Sequence, residues 1–106
     1  MGPSYEVVLT PRAQKDIKNI YDYLLENTSF ETAESVKSGI EEEIVKLTQL
    51  PESKGLLQNH NSKTVYRRVL KWSYRIIFSI EENELRVLVV RIDHSKSNPV
   101  KLNDLP

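Results

Sequence analysis

Residues 66–80, Tyr66-Arg67-Arg68-Val69-Leu70-Lys71-Trp72-Ser73-Tyr74-Arg75-Ile76-Ile77-Phe78-Ser79-Ile80, restrict the fold more than any other part of the chain. They read as two β-strands joined by a short turn at Lys71-Trp72. From Ser73 to Ile80 the residues alternate with period two, so Tyr74, Ile76, Phe78 and Ile80 share one face and Ser73, Arg75, Ile77 and Ser79 the other. The first face is a core face. On the second, Arg75 sits mid-strand, where an unpaired buried guanidinium is costly. It therefore either meets a carboxylate or looks into a groove that takes an anion. Arg67, across the hairpin, is expected to share that face.

The flanking sequence supplies what packs on such a hairpin. Tyr5 to Leu9 is a short strand rich in β-branched and aromatic residues. Thr10-Pro11 marks a helix start, with threonine as cap and proline at the first helical position. Ala13, Ile17, Ile20, Tyr21 and Leu24 form an apolar stripe on a helix that runs to about Glu26. Thr28 followed by Glu31 fits a capping box for a second helix. Its stripe is Ala33, Val36, Ile40, Ile44 and Leu47, and Leu50-Pro51 ends it. So short a joint makes the two helices an antiparallel hairpin. Residues 51–63 are polar and read as a loop with an apolar anchor at Leu56-Leu57. Glu81 to Glu84 is a turn, Leu85 to Ile92 a well-buried strand, and the chain then leaves the sheet at Asp93. The order is β-α-α-β-β-β, an α+β fold. A mostly antiparallel sheet carries the helical hairpin on one face and leaves the other face partly open.

With 106 residues the chain forms one domain, 1–106, with an ordered core over about 5–94 and a C-terminal tail at 95–106. Met1-Gly2-Pro3 is given no role. The absence of cysteine removes disulfides and cysteine-based zinc sites. No apolar run approaches a membrane span, and no signal-peptide pattern opens the chain, so the expected location is cytoplasmic. Formal net charge is zero, which argues against a general nucleic-acid binder. The charges are uneven, however. Lys63 to Arg75 holds five bases and no acid, so an anionic partner is expected there. Glu41-Glu42-Glu43 reads as a solvated helix face or a contact for a protein partner, a second copy of the chain included. His60 lies in a polar loop. His60 and His94 lack the carboxylate set that a metal site needs, so no metal is expected.

The order and several local signatures resemble the RelE/ParE superfamily of toxins from bacterial type II toxin–antitoxin systems, over Tyr5 to about Leu102. The residues that carry the resemblance are Leu9-Thr10-Pro11-Arg12-Ala13-Gln14-Lys15-Asp16-Ile17, then Ile20-Tyr21-Asp22-Tyr23-Leu24, Tyr66-Arg67, Tyr74-Arg75-Ile76-Ile77-Phe78, and Arg91-Ile92-Asp93-His94. No single piece is diagnostic, but the ordered set is specific. The resemblance implies a cognate antitoxin as partner and no cofactor. Members similar to ParE inhibit growth by poisoning DNA gyrase. Members similar to RelE enter the ribosome and cut mRNA without a metal, because the 2′-hydroxyl is the nucleophile. On the RelE reading, Arg75 and Arg67 stabilise the phosphate and His94 shuttles a proton. Lys63, Arg68 and Lys96 then hold the substrate. Tyr21 and Tyr23 are candidate antitoxin contacts. The neutral charge, the long helical hairpin and the lack of a tyrosine after Tyr74 place the chain nearer ParE. A family member that only binds a partner is the third alternative.

Overall fold

A computed structural model describes residues 4–57 and 63–95. Five strands form one sheet under two helices: β1 (Glu6–Leu9), α1 (Pro11–Asn27), α2 (Phe30–Lys46), β2 (Gly55–Leu57), β3 (Tyr66–Lys71), β4 (Tyr74–Glu81) and β5 (Arg86–His94). The order across the sheet is β1-β5-β4-β3-β2, with β1 parallel to β5 and the other pairs antiparallel. The expected α+β arrangement is present, with one further strand. β2 lies inside the stretch expected to be a loop. Three residues are too few to show alternation, and β2 gains its identity only by pairing with Tyr66–Arg68.

Thr10 caps α1 as its sequence indicates, accepting the Ala13 N–H at 3.1 Å. The second cap differs from expectation. Ser29, not Thr28, accepts the Thr32 N–H at the start of α2. Thr28 instead closes α1, donating its hydroxyl to the Leu24 carbonyl at 2.6 Å. α2 also stops at Lys46, ahead of Leu50-Pro51, because the carbonyls of Ile44 and Val45 are taken by the tightening turn at Leu47 and Thr48. Leu50 then takes a left-handed conformation, φ 48°, before Pro51.

Between helices and sheet lies the main core, built from Ala13, Ile40, Ile44, Leu47, Ile76, Phe78, Val87, Val89 and Ile92. Each large member buried here contributes about 1.5–3 kcal/mol. The opposite face is less open than the sequence suggests. Tyr66, Ile77 and Val90 form a second buried cluster there, with Leu57 and Leu88 against it. A bulge places Val90 opposite no β4 residue: Ile77 pairs with Arg91 and Phe78 with Val89. One extra residue in β5 shifts the alternation and so lets apolar residues serve both faces. Burial also raises the Tyr66 phenol above its ordinary titration range.

The β3–β4 turn falls on Trp72-Ser73, one residue later than expected, with Trp72 at φ 52°. Its indole lies on α2 at Gly39, where an added Cβ would collide with Cη2 and Cζ3 of the ring. Glycine within a helix costs about 1 kcal/mol relative to alanine, so the close approach explains its use here. A double-mutant cycle checks this. Gly39→Ala should stabilise the Trp72→Ala protein by about 1 kcal/mol and should be neutral or destabilising with Trp72 present, read from urea midpoints.

Candidate functional site

Within the basic run from Lys63 to Arg75, Arg75 and Lys71 meet acids far away in sequence. Arg75 meets Asp93 in a two-pronged pair, Nε to Oδ1 at 3.1 Å and Nη2 to Oδ2 at 2.7 Å. The two are partners across the β4–β5 ladder. Their side chains are only 18% and 10% exposed, so the pair is shielded from water. Hydrogen bonding to Asp93 raises Arg75 further above its already high range. The carboxylate alternative for Arg75 is thus the one observed, on the face away from the helices.

Arg67 does not share that face. It pairs with Phe78, whose side chain points into the main core, so the pleat puts Arg67 on the helix side. Its Nη1 donates to the Lys54 carbonyl at 2.8 Å. The arginine on the face of Arg75 is Arg68, which is exposed and lies over Gly55 across the β2–β3 pair. Lys63 joins Arg67 in a recess of about 390 Å³ with Thr64, Val65, Ile80 and Glu82. This recess is at the end of the hairpin remote from Arg75. Lys71, in turn, lies 4.7 Å from the Trp72 ring centroid and 3.9 Å from Glu43.

His94 ends β5 opposite Tyr74, their rings edge to face at 5.2 Å between centroids. Asp93 and His94 are therefore the last rungs of the sheet, not the start of a departing tail. Burial, and secondarily the Tyr23 phenol, push the Tyr74 hydroxyl to a higher titration range. Tyr74, His94 and Tyr23 thus gather at one end of the sheet. Tyr23 is 64% exposed, whereas Tyr21 is engaged within the helical hairpin. Its hydroxyl bonds Glu34, and Lys37 Nζ stands 5.4 Å from its ring centre. His60 and Lys96 fall outside the described residues. Among the described residues no cluster of histidine, aspartate or glutamate could hold a metal, and no helix is long and apolar enough to cross a membrane.

One buried acid escaped the sequence reading of roles. Asp16 is 8% exposed and accepts three hydrogen bonds: Ile92 N–H at 2.9 Å, Arg91 Nε at 3.1 Å and Arg12 Nε at 3.3 Å. β1 pairs with β5 only as far as Val89, and Asp16 seals the edge beyond. A signal was present, since Asp16 stands on the apolar stripe of α1, three residues after Ala13 and four before Ile20.

The fold is shared with chains of known toxin–antitoxin systems. A chain of similar fold occurs in a chromosomal ParDE toxin–antitoxin system from Pseudomonas aeruginosa, with a TM-score of 0.71, 18% identity, and coverage of 88% of this chain and 98% of that one. The toxin–antitoxin complex RelBE2 from Mycobacterium tuberculosis gives a TM-score of 0.64, 19% identity, and coverage of 86% and 98%. An arginine-to-alanine double mutant of Escherichia coli toxin RelE in the free state gives 0.58, 14% identity, and coverage of 90% and 87%. These likenesses establish the fold. No curated protein sequence matches the chain. A sequence model of the family described as ParE toxin of type II toxin-antitoxin system, parDE, matches residues 7–99. With nearly all of its sheet and both helices inside that match, the chain belongs to the ParE toxin family of type II toxin–antitoxin systems.

Proposed function

We propose that this chain inhibits bacterial growth as ParE toxins do, by binding and poisoning DNA gyrase, and that a cognate antitoxin restrains it. The observation that carries this reading is the engagement of Arg75, Arg86 and Arg91, three of the sheet's arginines, in ion pairs. Phosphoryl transfer at RNA needs cations aimed at the developing charge on phosphate, together with a group that moves a proton. Here Arg75 is held by Asp93, Arg91 by Asp16 and Arg86 by Glu81. Arg67 and Arg75 stand on opposite faces and His94 packs edge-on to Tyr74. These groups do not converge on one reacting atom. Such an arrangement suits a protein that acts by contact.

The antitoxin is best accommodated on the helical side. Tyr23 and Phe30 are both well exposed there, and large exposed aromatics are favoured as interface anchors. Tyr21 contributes indirectly, by bracing α1 against α2 through Glu34 and Lys37.

Induced expression in a bacterium tests the reading. Chromosomal double-strand breaks and recovery of gyrase with the tagged protein are expected, and co-expression of the antitoxin encoded beside it should suppress both. Cleavage of mRNA at the ribosome, lost on His94→Ala in a protein that melts with the parent, would instead establish a ribonuclease.

A further inference from the structure

The recess beside Arg67 brings charges of both signs together. It is lined by two cations, Lys63 and Arg67, and by the carboxylate of Glu82 from the turn between β4 and β5. Arg75, Arg86 and Arg91 are each ion-paired, yet Lys63 and Glu82 form no ion pair among the described residues. Arg67 spends one nitrogen on the Lys54 carbonyl, which fixes the guanidinium fork and leaves its other N–H groups to a ligand. Val65, 62% exposed, and Ile80 supply an apolar wall. At about 390 Å³ the space suits a molecule at the small end of ordinary ligands.

We propose that this recess binds a small zwitterion, a free apolar α-amino acid or the like, with its carboxylate against Lys63 and Arg67 and its ammonium group against Glu82. A simple anion gains from the two cations but meets Glu82, and a simple cation meets the reverse. A zwitterion satisfies both signs of charge, and an apolar side chain covers Val65 and Ile80. The site is independent of the gyrase reading. It lies at the Ile80 end of β4, five residues from Arg75, which is roughly 16 Å along a strand.

The test is an amide-resolved NMR titration of the full chain with L-leucine, N-acetyl-L-leucine, L-leucinamide and inorganic phosphate. L-leucine is expected to shift the amides of 63–67 and 80–82, and to bind more tightly than each of the other three. Lys63→Gln and Glu82→Gln, both at exposed positions, should each weaken leucine about three- to fivefold, with thermal melting unchanged. Glu82→Gln should at the same time improve N-acetyl-L-leucine. The proposal is overturned if leucine moves none of these amides, or if phosphate or either single-charge analogue binds as well as leucine. It is equally overturned if Glu82→Gln leaves leucine binding untouched.

Discussion

Replacing Asp16 by alanine is expected to cost about 3–5 kcal/mol of folding stability, the range for breaking a buried ion pair by removing one partner. The reason is what remains behind. Arg91 loses its carboxylate in a shielded position, and the Ile92 N–H loses its acceptor at a sheet edge that β1 does not reach. In a domain of this size 3 kcal/mol corresponds to a fall in Tm of about 12–24 °C. Asp16→Asn keeps an acceptor for Ile92 and should recover part of the loss. Asp16→Ala combined with Arg91→Leu should also recover part, because no charge is then stranded. Thermal and urea unfolding of the four proteins check the set. If Asp16→Ala melts within a few degrees of the parent, the edge-sealing role is wrong.

The second large effect concerns Arg75. Arg75→Ala alone should destabilise by about 3 kcal/mol, since Asp93 is left almost wholly shielded and unpaired. Loss of toxicity in that single variant would therefore carry no information about chemistry. The informative protein is Arg75→Met with Asp93→Leu, which removes both charges and keeps similar volume. Such replacements are often neutral or stabilising. The double variant is expected to fold close to parental stability and to remain toxic when expressed. If it folds but has lost toxicity, while circular dichroism and melting match the parent, one of the two charges acts on the target and the contact-only account of this end of the sheet fails.

Much of this architecture could be read from spacing. The stripes of both helices, the β4 alternation and the turn at Glu82–Glu84 all follow from local patterns, and the structure contains them. The placement of Arg67 was also implicit. A two-residue turn pairs odd with even positions, so Arg67 must follow Phe78 or Ile76 toward the helices, and only Arg68 can join Arg75. β2 was not legible, because three residues carry no period and depend on β3 for their hydrogen bonds. The second buried cluster was hidden by the bulge at Val90, which breaks an alternation that a one-dimensional reading assumes to continue. The cations were legible as residues but not as neutralised ones. Asp93 is 18 positions from Arg75, so the local excess of positive charge around Lys63–Arg75 overstated what that end of the sheet shows.

The parallel pairing of β1 with β5 has a consequence for how the protein comes into being. Glu6 lies beside Arg86 and Leu9 beside Val89, so the first strand to leave the ribosome has no neighbour until the last has been made. Contacts of such long separation are slow to form and close the fold last. During synthesis the helical hairpin is available early, while the sheet that gives the toxin its shape can assemble only once translation has passed the final rung.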